Sequence, residues 1–240
     1  VMITPYIALQ LKGISNSLHL MAGTETSGRV PFWSDVLFYI ALGLVGFTVL
    51  FGVRRLDVSE RHEGMVVAIA FESLWKLIAF LAVGVFVTYV LYDGPKSLFE
   101  TAAEVPELAR LFTISDAHGR SEWFWTLVLS MLAVLLLPRQ FQVGVVENVD
   151  EKHLDRAIWL FPLYLLLINL FVLPIAFGGY LQFGGEGLQA DIFVLLLPLQ
   201  AGYDWLALLV YLGGLSAATG MVIVSSTALS IMVSNNLLLP

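Results

Sequence analysis

Long apolar blocks alternate with short polar segments along the chain, and the blocks set the expected elements. Six helices are expected, near 1–21, 31–53, 64–91, 123–137, 157–177 and 205–232. Most of these blocks reach the roughly 18 apolar residues that mark a bilayer-spanning helix. No charged residue occurs from Ile158 to Gly185 or from Trp205 to Pro240. The expected fold is therefore all-α, one polytopic membrane domain over residues 1–240.

Polar positions inside the blocks carry the chemistry. The stretch Arg54 to Lys76, RRLDVSERHEGMVVAIAFESLWK, begins as a charged turn and becomes an apolar helix that keeps Glu72 and Lys76. A charge near the bilayer centre costs about 2.5–3.5 kcal/mol, so such residues face a protein interior or a water-filled path. Four residues apart on a helix, the two can neutralise each other. Either they form a structural pair that fixes helix packing, or Glu72 carries a proton with Lys76 or Lys12 as its partner.

The first helix holds Gln10, Lys12, Ser15, Asn16 and Ser17. That is too polar for a lipid-facing helix, so one face should meet other helices or a cavity, unless Lys12 snorkels to the interface. In the second helix, Gly43 and Gly46 are small enough to let helices approach closely. Tyr92 to Glu122 is the longest polar segment. Leu98, Ala102, Val105, Leu108 and Leu111 recur there at helical spacing, which predicts a short surface helix, either a gate or a connector.

Trp123 and Trp125 open the fourth helix at aromatic-belt positions, and Pro138 breaks it before RQFQVGVVEN. The fifth helix holds Asn169 and is expected to close near Pro174, ahead of a glycine-rich stretch from Gly178 to Gly187. That stretch lacks the GK[ST] of a phosphate loop. Asp191 to Gln200 reads as a half-length helix packed at the surface. The last helix is small and hydroxylated at its centre: Gly213, Gly214, Ser216, Thr219, Gly220, then Ser225, Ser226 and Thr227. Close packing or an ion site of hydroxyls and carbonyls would explain it.

Composition agrees with a membrane protein: 58% hydrophobic and 13% charged, against roughly 25% charged in soluble domains, with a mean hydropathy of +0.85. The net charge of −7 comes from acids scattered over loops. Without a basic patch, nucleic acid is not an expected partner. There is no cysteine, hence no disulfide or thiolate chemistry. No HExxH, paired aspartates or Ser/His arrangement lies in the apolar segments, so no catalytic residue is assigned. The opening VMITPY lacks a signal peptide's basic region, and the sequence reads as an internal piece of a longer protein.

Arg54, Arg55, Arg61, Arg139, Lys152 and Arg156 fall on one side of the six helices. Arg29, Lys96, Arg110 and Arg120 fall on the other, in longer and more acidic loops. By the positive-inside rule the 54–64 and 138–157 loops are cytoplasmic.

Four stretches together resemble a known family: PYIALQLKGIS, RRLDVSERHEGMVVAIAFESLWKLIAFLAVG, LPRQFQVGVVENVDEKHLDRAIWLFPLYLLLINLFVLPIA and GGLSAATGMVIVSSTALSIMVSN. They resemble the sodium/solute symporter superfamily and, within it, the transporter-like membrane domain of CbrA-type sensor histidine kinases. The resemblance implies a LeuT-type inverted-repeat fold, of which this chain would be core helices three to eight, in a bacterial inner membrane with the same orientation. By position, Tyr6 and Gln10 match a Tyr and Gln of the third core helix. Ser59, Glu60 and Glu63 stand where symporters have Thr-Asp-x-x-Gln beside the sodium path, and Pro138 matches a family proline. Where the eighth core helix of symporters places a hydroxyl pair on sodium, this chain has Gly220 and Met221, and a one-residue shift recovers only Thr219. A hard cation wants oxygen ligands, so sodium coupling is weakened and proton coupling becomes the alternative.

The resemblance implies a domain that takes up or senses a small solute, an amino acid or a carboxylate, and signals to a cytoplasmic kinase module on the same polypeptide. A free-standing sodium- or proton-coupled symporter is the alternative. The candidate pathway residues are Tyr6, Gln10, Lys12, Glu60, Glu63, Glu72, Lys76, Ser216 and Thr219. No cofactor is expected beyond the coupling ion.

Overall fold

A computed structural model describes residues 3–23, 36–51, 63–112, 117–137, 141, 144–145, 148, 150, 152–184 and 190–234. Every described element is a helix. They are α1 (Ile3–Ala22), α2 (Val36–Phe51), α3 (Glu63–Val85), α4 (Pro95–Glu104), α5 (Pro106–Ala109), α6 (Ala117–Leu136), α7 (Lys152–Leu170), α8 (Val172–Phe183), α9 (Phe193–Gln200) and α10 (Asp204–Val233). Among the described residues, three stretches are long and apolar enough to cross a membrane: Val66–Leu91, Lys152–Phe183 and Asp204–Val233. The described residues of the other expected spans also lie mainly on helices. Polar residues lower the hydropathy of α1, α2 is described over 16 residues, and α6 starts with the polar run AHGRSE.

The chain divides into two compact units. One comprises residues 1–76, 137–149 and 211–240, and the other residues 77–136 and 150–210. In the first, α1 packs on α2. Gly43 and Gly46 of α2, expected at a close helix crossing, have no described atom within 4 Å of where a β-carbon would stand.

The second unit has a core of Val83, Phe86, Val87, Ile175, Phe193, Leu197 and Leu206. Glycines set how closely its helices approach. A β-carbon on Gly84 would run into the ring and Cβ of Phe171, and one on Gly179 into Phe193. On Gly178 it would stand 2.7 Å from Val87 Cγ1. Gly178 and Gly179 belong to α8, whereas the glycine-rich stretch was expected to follow the helix. The helix was expected to close near Pro174. It breaks at Phe171 instead (φ −105°, ψ 5°), because a proline ring clashes with the carbonyl four residues earlier, here Leu170. The chain then re-enters helix and ends at Gly184, whose left-handed conformation (φ 71°) lets its N–H donate to Tyr180 O at 2.8 Å.

α3 finishes as a π-helix over Phe86–Leu91. Thr88 is buried there and donates its hydroxyl to Gly84 O at 2.7 Å. Asp93 (φ 54°) and Gly94 (φ 125°) reverse the chain, and Gly94 N–H donates to Thr88 O at 2.7 Å. The Tyr92 hydroxyl donates to Gly178 O at 3.2 Å, and burial raises its pKa above the ordinary tyrosine value.

The predicted helix over 95–112 is two helices and a 3-10 turn (Arg110–Phe112). Pro106 drives Val105 into extended backbone (φ −88°, ψ 118°). Leu98, Ala102 and Leu108 are buried against Phe177, as their spacing implied, whereas Leu111 is exposed. Phe99 and Phe112 close on Phe177 at centroid distances of 5.7 and 5.4 Å. α9, expected at the surface, lies instead in the core: Phe193, Leu195, Leu197 and Pro198 are all buried. Its run of apolar residues has no polar face to offer solvent.

Three outcomes follow, two for this unit and one for Gly214 of the first unit. Gly84→Ala and Gly179→Ala should each lose about 1–3 kcal/mol by overpacking, read as thermal unfolding in detergent. Gly214→Ala, with open space around its Cβ position, should be neutral or gain up to about 1 kcal/mol. Tyr92 stays neutral longer in the folded state than in the unfolded one, so its contribution is full below about pH 10 and lost as pH rises through the folded pKa. Tyr92→Phe should remove that part of the alkaline fall in stability.

Candidate functional site

α3 has two unlike faces. Val67, Phe71, Leu74 and Ile78 form an exposed stripe at helical spacing. Glu72 and Lys76, both half-buried, lie one turn apart on the opposite side. The charged pair thus points away from the exposed apolar face.

In the first unit the Glu72 carboxylate packs directly against Gly220 of α10. A β-carbon on Gly220 would stand 2.7 Å from the Glu72 carboxyl carbon and closer still to Oε2. Only glycine leaves room for the carboxylate in this position. From Leu212 to Val233, α10 carries no charged side chain, so the carboxylate faces a helix with no countercharge of its own.

The next residue meets a second candidate. Tyr6 of α1 donates its hydroxyl to Met221 Sδ at 2.9 Å, across 215 residues of sequence. Gln10 is one helical turn along α1 from Tyr6 and half-buried, and Ser216 is one turn before Gly220 on α10. Tyr6, Glu72, Gly220 and Met221 therefore gather around one turn of α10. Lys12 is not part of this group: its side chain is exposed.

The hydroxyls of α10 divide. Thr219 donates to Leu215 O at 2.8 Å and Thr227 to Ile223 O at 3.0 Å. Both bonds lie within the helix, and the second satisfies a hydroxyl that is buried. Ser225 and Thr227 are both buried. Among the described residues no three His, Asp or Glu side chains gather as a metal site would require. Glu63 opens α3. Glu60, with Ser59 and Pro138, lies outside the described residues, as do the loop arginines Arg54, Arg55, Arg61 and Arg139.

Sequence reasoning singled out Glu72 but not its partner. Gly220 drew notice only as a lost ligand position, and nothing local in the sequence tells a glycine that seats a carboxylate from one that eases helix packing. The Tyr6–Met221 bond left no sequence signal either. No protein-family model, curated protein or solved structure matches the chain.

Met221 accepts the Tyr6 hydroxyl through a weak acceptor. Tyr6→Phe should therefore cost less than the roughly 0.5–1.5 kcal/mol of an ordinary hydrogen bond, while Tyr6→Ala, which also empties the packing position, should cost more. Unfolding of both variants in the same detergent gives the comparison.

Proposed function

We propose that the chain is the transporter-like membrane domain of a sensor histidine kinase. It takes up or senses a small solute, an amino acid or a carboxylate, and passes the signal to a kinase module on the same polypeptide. The observation that carries this reading is the Glu72 carboxylate. It lies within a membrane-length helix and meets α10 at Gly220, the residue before Met221. Those two residues stand where the symporters that the sequence resembles place a cation-binding hydroxyl pair.

The coupling ion in this reading is a proton. Gly220 and Met221 offer no side-chain oxygen to a hard cation, whereas a carboxyl group at the same turn can gain and lose a proton. Glu72 is the carrier and Lys76, one turn along α3, its electrostatic partner. The protein sits in a bacterial inner membrane with the 54–64 and 138–157 loops in the cytoplasm. A free-standing sodium- or proton-coupled symporter is the second reading, favoured by the same carboxylate and distinguished by whether the full open reading frame encodes a kinase.

Two measurements test the proposal. In the full-length protein, uptake of an amino acid or carboxylate, or ligand-dependent autophosphorylation, should be detectable, and neither response to any such solute would sink it. Glu72→Gln should abolish the pH dependence of uptake. Intact pH dependence in that variant would remove Glu72 as carrier.

A further inference from the structure

We infer that Gly220 is a positioning residue for the Glu72 carboxylate: α3 is held to α10 by a carboxyl group seated in the notch that a missing side chain leaves. The inference stands on the first unit's packing, and only its uptake readout rests on the transport reading above.

The contact has features that ordinary close helix packing lacks. At Gly84 and Gly179 the obstructing atoms belong to aromatic rings and their β-carbons, which stand close to the backbone of the neighbouring helix. At Gly220 all three nearest atoms are the Glu72 carboxyl carbon and its two oxygens. The notch is filled by the tip of one flexible acidic side chain. A larger residue at 220 would not force the helices apart; it would evict the carboxylate.

Eviction has few favourable destinations. Across α3 from Glu72 runs the exposed apolar stripe of Val67, Phe71, Leu74 and Ile78, where a charge would enter hydrocarbon. Along α10 the adjacent residues Val222 and Val224 are buried and apolar. Gly220 thus determines where the one acidic group of the Val66–Leu91 span resides. The requirement concerns the length and bulk of the side chain at 72, not its charge alone, so the two residues form a matched pair.

A double-mutant cycle reads this directly, using thermal unfolding of the full-length protein in detergent. Gly220→Ala should lower the unfolding midpoint, because the carboxylate loses its seat. In a Glu72→Ala background the same substitution should raise the midpoint, since alanine is the better helix residue once nothing occupies the notch. Glu72→Gln keeps the seat filled with a group of the same shape but no charge, so Gly220→Ala should still lower the midpoint there, by less than in the parent. Glu72→Asp, shorter by one methylene, should rescue Gly220→Ala in both midpoint and solute uptake.

A Gly220→Ala penalty of the same sign and size in the Glu72→Ala background would overturn the inference, as would no penalty in the parent. If Gly220→Ala does not accumulate, the level of folded protein replaces the midpoint: recovery in the Glu72→Ala double variant supports the seat, and failure of both variants overturns it. Loss of uptake in every variant with the midpoint pattern intact would count against the transport reading and leave the seat standing.

Discussion

The first unit depends on one constraint: an apolar helix of membrane length carries a carboxylate that must be kept out of hydrocarbon. α3 meets it by segregation, with the stripe from Val67 to Ile78 on one side and Glu72 and Lys76 on the other. Turning the carboxylate inward creates a second demand, because an inward-facing carboxyl needs volume. Gly220 supplies that volume on α10. The neighbouring Met221 is polarizable and unbranched, and it engages the Tyr6 hydroxyl without adding another strong acceptor beside the acid. The polar character of α1 follows from the same arrangement: a helix that brings Tyr6 and Gln10 toward α10 cannot be uniformly apolar.

The second unit answers a different requirement. Between helices in lipid the hydrophobic effect contributes little, and association relies on close packing of small residues. Gly84 against Phe171 and Gly179 against Phe193 do this with one glycine and one aromatic ring at each crossing. The break at Phe171 supports the first contact. Pro174 ends α7 just before Phe171, and the ring fills the space beside Gly84. The π-helical end of α3, with Thr88 bonded to Gly84 and Gly94 bonded to Thr88, fixes the entry to α4. The aromatic cluster of Phe99, Phe112 and Phe177 then holds the segment after it, which rests on the helices as a packed element.

How much of this was readable from residues alone depended on range. Helix positions were, since block length and charge placement are local: α10, and α3 taken together with its π-helical end, begin and end within a residue of expectation. The inward turn of Glu72 was also readable, from the cost of placing a charge in hydrocarbon. Partner choice was not. Gly43, Gly46, Gly84, Gly179 and Gly220 look alike in sequence, yet the first two meet no described atom, the next two admit rings and the last admits a carboxylate. Proline was misjudged for a physical reason: Pro174 acts on the carbonyl of Leu170, so the break precedes it, and the helix then resumes. α9 was misplaced because a short apolar run without periodicity does not say whether it is covered by protein.

The meeting of Glu72 with Gly220 is the feature from which the rest of the first unit follows. Solid-state NMR of the full-length protein in lipid bilayers tests it without altering either residue, through the dipolar cross-peak between the Glu72 carboxyl carbon and the Gly220 α-carbon. The expected spectrum contains that cross-peak alongside the one between Gly84 and the Phe171 ring. A spectrum with the Gly84–Phe171 peak and no Glu72–Gly220 peak would contradict the seating of the carboxylate and, with it, the organisation of the site.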